Sequence, residues 1–92
     1  MKDANIFRDE VSSQVARILR EERAKRHLSM NAIAERAGLS RMMVSFVERG
    51  MRNPTLDTLL RLTGALEIDP VEVLRRAVKA ASSAKPKSAE RA

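Results

Sequence analysis

The stretch from Leu28 to Pro54, LSMNAIAERAGLSRMMVSFVERGMRNP, decides the fold. Ser29 carries the hydroxyl of a helix N-cap, placed to accept from the free amides of a helix running from Met30 to Ala37. Gly38 stops that helix, because glycine takes a left-handed conformation at little cost. Ser40 caps the next helix, from Arg41 to near Glu48, and Gly50 stops it in turn. Two short helices therefore meet across a tight turn, and the residues around the turn each have a geometric task. Ala34 is small where the helices cross closest. Val44 and Val47, one helical turn apart, pin the second short helix to a core completed by Ile33, Ala37 and Leu39. The opposite side of that helix is left standing proud of the surface.

Helical periodicity continues outward in both directions, and no stretch alternates like a strand. Upstream, Phe7, Val11, Val15, Ile18 and Leu19 recur at three- and four-residue spacings and predict a first helix over about residues 5–26. Its other face, Arg17, Arg20, Glu21, Arg23 and Lys25, reads as a solvated charged surface. Downstream, MRNPTL is a loop, since Pro54 turns Asn53 away from helix. Thr55 caps a fourth helix, Leu56 to Leu66, expected to bury Leu56, Leu59, Leu62 and Leu66. Gly64 within it costs up to ~1 kcal/mol relative to alanine, which close helix packing would explain. Asp69, Pro70 and Glu72 form a capping box that opens a fifth helix, predicted to end near Val78. Residues 79–92 are rich in Ala, Ser, Lys and Pro with little to bury, and read as a basic disordered tail. The expectation is an all-α, five-helix domain over residues 1–78.

Composition bounds the chemistry. A chain of 92 residues holds one domain, and 43% apolar residues suffice for one core. The only aromatics are Phe7 and Phe46, so that core is aliphatic. With no cysteine and one histidine there is no disulfide, thiolate zinc site or cysteine nucleophile. Neither a glycine-rich phosphate loop nor a pair of carboxylates in a plausible cleft is present, so no catalytic residue, metal, cofactor or small-molecule ligand is expected. No apolar run approaches the ~20 residues of a membrane span, and the N-terminus MKDANIFRDE lacks the apolar stretch of a signal peptide. A cytoplasmic location without membrane association is the expectation. Net charge is +6, divided as −1 over residues 1–10, +4 over 11–78 and +3 over 79–92. A sequence pI near 10.8 favours a polyanionic partner.

Two short helices holding the second proud is the arrangement of a helix-turn-helix, whose second helix fits a major groove ~12 Å wide. Here the sequence resembles the Cro and lambda-repressor-like (XRE-class) regulators over about Val15 to Leu74. The resemblance rests on LS opening the second helix, AERAGLS across the turn, VSFVERG closing the third, and then RNPTLDTLL and IDP. It implies a lambda-repressor-like five-helix DNA-binding bundle acting as a small transcriptional regulator on double-stranded DNA, usually as a homodimer on a pseudo-palindromic operator. The family's base-reading positions fall on Arg41, Met42, Ser45 and Phe46. Its phosphate-holding positions fall on Ser29, Met30, Ser40, Arg49, Arg52 and Asn53. Glu48 matches a buried acid paired with an arginine of the first helix, here Arg23. The chain departs from the family in carrying Met30 where glutamine is common, and Met42, Met43 and Phe46 where polar readers are common.

Weighed as plain residues, Met43 reads as partly buried packing and His27 as a cap or surface group. Met42 and Phe46 share an exposed face whose partner is either a thymine methyl or a protein. Val71, Val73, Leu74 and Val78 of the last helix offer a dimer seam, with Leu60 or Phe7 beside them. The alternative to DNA binding is a scaffold turned into a protein-interaction module, resting on Met30, Met42 and Phe46. Phage repressor, antitoxin-like autoregulator and restriction-modification controller all use this scaffold.

Overall fold

Hydroxyl caps start three of the helices. The side chains of Ser29, Ser40 and Thr55, each on extended backbone, accept from Ala32, Met43 and Thr58 at 3.0 Å. The computed structural model describes residues 4–84. It contains α1 (Ala4–Lys25), α2 (Met30–Ala37), α3 (Arg41–Glu48), α4 (Leu56–Leu66) and α5 (Pro70–Ala84), with no strand among the described residues. None of these helices is long and apolar enough to cross a membrane.

The first four helices end in one way. At His27, Gly38, Gly50 and Glu67 the backbone turns left-handed. The next amide then reaches back across the last turn, as Leu28 N–H does to Arg23 O and Leu39 N–H to Ala34 O. Carbonyls otherwise left without partners are satisfied by this closure. Gly38 is favoured on two grounds: its φ is +71°, which residues with side chains rarely adopt, and an added Cβ would sit 3.0 Å from Arg61 Nη1, so the end of that side chain would have to shift. His27 and Glu67 adopt the same conformation with a side chain attached.

Val15, Ile18 and Leu19 of α1, Ile33, Ala34 and Ala37 of α2, Val44 and Val47 of α3, Leu59, Leu62 and Leu66 of α4, and Val73 and Ala77 of α5 make one aliphatic core. α5 packs chiefly on α1. It runs past Val78 to Ala84, so the expected boundary between domain and tail is too early. Alanine is the best helix former, and Val73, Ala77 and Ala81 make a buried stripe at four-residue spacing. Counting only large apolar residues misses that stripe. The remainder of the expected tail, residues 85–92, lies outside the described residues.

Four further expectations are corrected. Val73 is fully buried in the bundle's own core and is not a seam residue, whereas Val71, Leu74 and Val78 are exposed. Leu56 is 69% exposed, because helical side chains lean toward the N-terminus and this first residue of α4 leans past the core's edge. A Cβ added at Gly64 would meet nothing within 4 Å, so close packing does not explain that glycine. Glu72 bonds Arg75 and does not close a capping box; Asp69 Oδ1 alone caps α5, accepting from Val71 N–H at 2.9 Å. Phe7 is exposed because it precedes the packed face of α1, where contact with the core starts at the partly buried Val11 and full burial at Val15.

Candidate nucleic-acid interface

α3 is held from behind. Val44 and Val47 have no exposed surface, and Glu48 is 3% exposed. Both Glu48 oxygens accept from Arg23, Nε at 2.7 Å and Nη2 at 2.8 Å. Arg23 Nη1 also donates to Leu28 O at 2.8 Å, and Arg20 Nη1 donates to the Glu48 carbonyl at 2.7 Å. The Glu48 carboxylate holds the Arg23 guanidinium above its ordinary pKa. Two arginines of α1 thus fix the C-terminal end of α3, one through a carboxylate and one through backbone. At the opposite end of the turn, Arg61 of α4 reaches the Ala37 carbonyl at 3.3 Å and braces the end of α2.

With its inner face fixed, α3 presents Arg41, Met42, Ser45 and Phe46 outward, followed by Arg49 at its C-cap. At about 100° per residue these span an arc of about 140° on one side. Arg41, Met42 and Arg49 are exposed, whereas Ser45 and Phe46 are half-buried. Met43 is partly buried against the core. Phe46 is not the open apolar reader that its spacing suggests. The Arg52 guanidinium carbon lies 5.2 Å from the ring centroid, covering one face. The backbone N–H groups of Met51 and Arg52 also both donate to the Phe46 carbonyl. Arg52 and Asn53 are exposed on the loop after α3. At α2, Ser29 is exposed, but the Met30 side chain packs on the core, so only its backbone faces outward chemistry.

The guanidinium groups divide into two sets. Arg17, Arg23, Arg26, Arg61, Arg75 and Arg76 pair with carboxylates. Arg8 bonds the Asn5 side chain and Arg20 the Glu48 carbonyl. The side chains of Arg36, Arg41, Arg49 and Arg52 bond no protein group among the described residues. All four lie between the end of α2 and the loop after α3. Arg36 was not legible as a candidate, because only the ion pairs of the folded chain set it apart from the other arginines. An open cleft of about 310 Å³ adjoins this loop, lined by Asp9, Ser12 and Ser13 of α1 with Gly50, Met51 and Asn53.

Over residues 19–73 the chain matches the family described as Helix-turn-helix. An HTH-type transcriptional regulator of Mycobacterium tuberculosis is 43% identical over 56 residues, 61% of this chain. The chain spans only 39% of that relative's length. Control protein C.SmaI of Serratia marcescens is 37% identical over 76 residues, 83% of this chain and 90% of its own. The solved structure of the restriction-modification controller protein C.AhdI from Aeromonas hydrophila matches with a TM-score of 0.64 at 40% identity. That match covers 68% of this chain and 94% of that one.

Proposed function

This chain belongs to the helix-turn-helix family, and from that premise we propose how it performs DNA-binding transcriptional regulation. α3 enters the major groove with Arg41, Met42 and Ser45 toward base edges. Arg41 is the chief reader, since a guanidinium matches guanine O6 and N7 and supplies ~1–3 kcal/mol of discrimination. Arg49, Arg52 and Asn53 hold phosphates on one side, with Ser40 and the start of α2 at Ser29 and Met30 on the other. The observation that carries this reading is the division of the arginines: those whose side chains have no hydrogen-bonding or ion-pair partner among the described residues lie from Arg36 to Arg52, in the segment that includes α3.

One helix reads only a few base pairs, so two copies are needed for a selective site. A two-fold homodimer sets its reading helices ~34 Å apart on a pseudo-palindromic operator. Val71, Leu74 and Val78, at 57%, 40% and 41% exposure, supply the seam, with Leu60 of α4 at 47%. Selection from a random duplex library tests the whole reading. It is expected to return a site with two inverted half-sites, and Arg41→Ala should relax preference at one symmetric pair of positions. A wild-type protein that retains no duplex even at low salt would overturn DNA binding and leave the exposed Met42 as a protein-docking residue.

Within regulation, similarity to the restriction-modification controller protein C.AhdI, at 40% identity over 94% of that chain, favours a restriction-modification controller. The check is whether its expression changes transcription of a restriction-modification gene pair carrying the selected site.

A further inference from the structure

We propose that Phe46 acts on DNA through Arg52, as a positioning residue that holds the guanidinium at a phosphate, rather than by reading a base itself. The inference rests on the DNA-binding reading and concerns a division of labour within it. Three observations converge on the pair. The guanidinium carbon of Arg52 stands 5.2 Å from the Phe46 ring centroid, within the ~6 Å reach of a cation–π contact. The same residue supplies the carbonyl onto which the loop closes, accepting from Met51 N–H at 2.9 Å and Arg52 N–H at 3.2 Å. Arg52 has no carboxylate partner among the described residues, so its charge is held in place without being neutralised.

The chemistry of each side chain fits this arrangement. A free arginine samples many rotamers, and fixing it on binding costs entropy. The ring restricts it in advance and accepts no hydrogen bond from it, so the guanidinium N–H groups stay available to phosphate oxygens. An acidic partner would restrict it equally well but would cancel the charge that the phosphate needs. In turn, the ring face under the guanidinium is closed to a thymine methyl. The half-burial of Phe46, against the 63% exposure of Met42 on the same face, agrees with a residue engaged on its own protein.

The test combines Phe46→Leu, Phe46→Tyr, Arg52→Ala and the Phe46→Leu/Arg52→Ala double variant, each first checked by thermal melting. In the free protein, the Arg52 side-chain protons should resonate upfield through the ring current, remain so in F46Y, and return to ordinary positions in F46L. On DNA, F46L should weaken the selected operator and a scrambled duplex alike, by about 2- to 5-fold per subunit, the fold-change equivalent of an exposed cation–π contact. F46Y should match the wild type, and the double variant should bind like R52A alone. Two results overturn the stack while leaving DNA binding intact: Arg52 resonances indifferent to F46L, or an F46L loss that persists in the R52A background at one base-pair position. A wild type that binds no duplex instead overturns the DNA reading, whatever the resonances show.

Discussion

Replacing Glu48 by alanine tests the brace behind α3. The carboxylate is 3% exposed and takes two hydrogen bonds from Arg23, whose side chain is 18% exposed. Removing one partner of a buried pair costs ~3–5 kcal/mol, because the other charge is left without compensation. Here Arg23 keeps its bond to Leu28 O and some access to water, which places the loss at the lower end, about 3 kcal/mol. A domain of this size loses roughly 4–8 °C of Tm per kcal/mol, so E48A should melt about 12–24 °C below the wild type. Thermal unfolding followed by far-UV circular dichroism reads this directly. The double variant Arg23→Met/Glu48→Leu, which removes both charges and restores apolar volume, should recover most of the loss. The reasoning fails if E48A melts within about 4 °C of the wild type, or if the two substitutions add without coupling.

A second buried acid gives a pH dependence. Glu22 is held down to a pKa of about 2 by hydrogen bonds from Arg26, then Arg76 and Lys25, against an opposing effect of burial. A depressed folded pKa contributes stability that is complete above the ordinary value of 4.5 and is lost as pH falls from there toward 2. The loss should approach about 3 kcal/mol at most, because the three cations are themselves partly exposed; urea titrations of wild type and Glu22→Gln that fall in parallel with pH would sink it. Two backbone changes, one within α4 and one at its C-cap, should both stabilise. Gly64→Ala adds a methyl where nothing stands within 4 Å, for a gain of about 0.5–1 kcal/mol. Glu67→Gly relieves a φ of +59° at a similar net gain; a lowered Tm in either variant contradicts its argument. Leu74→Asp should yield monomers by sedimentation and weaken operator binding while leaving the melting of the monomer nearly unchanged; a dimer that persists places the seam elsewhere.

What could be read from the sequence was what local chemistry decides. Ser29, Ser40 and Thr55 cap within three residues of themselves, and Gly38 stops α2 by its own conformational freedom. Those helix limits therefore follow from short motifs. The departures share a different cause: periodicity shows that a helix has an apolar face, but not which of two faces the bundle takes. α5 carries one stripe of Val71, Leu74 and Val78 and another of Val73, Ala77 and Ala81. The fold buries the second, whose alanines let α5 lie close on α1, and leaves the bulkier one outside. Glu22 was hidden for the same reason. Beside its neighbours Lys25 and Arg26 it bonds Arg76, 54 residues away, so nothing near Glu22 marks it as buried or Arg76 as one of its cations. The Arg61 brace on Ala37 O and the Arg20 bond to Glu48 O also join residues remote in sequence, 24 and 28 positions apart. At the candidate interface, the outward arc of α3 was legible from Val44 and Val47. The engagement of Phe46 with Arg52 was not, because it depends on how the loop after Gly50 folds back.

The use of arginine for both tasks follows from one property. Its guanidinium stays charged and offers five donors in a fixed fork. Apolar contacts are non-directional, so Val44 and Val47, though fully buried, leave α3 more freedom of orientation than directional bonds would. Directional bonds from Arg20 and Arg23 remove that freedom at the C-terminal end, just beyond the valines. The cost of burying Glu48 is then offset by a geometry that carbon packing does not impose. Arg41 and Arg52, built from the same side chain, are left without acids of their own among the described residues. Moving one acid would therefore exchange the two roles. A carboxylate at Asn53, as in Asn53→Asp, would stand beside Arg52 and compete with phosphate for it. Such a substitution leaves the core untouched, so it should weaken every duplex without lowering Tm. Equal duplex affinity in N53D and wild type would mean that the loop after α3 does not meet the DNA backbone.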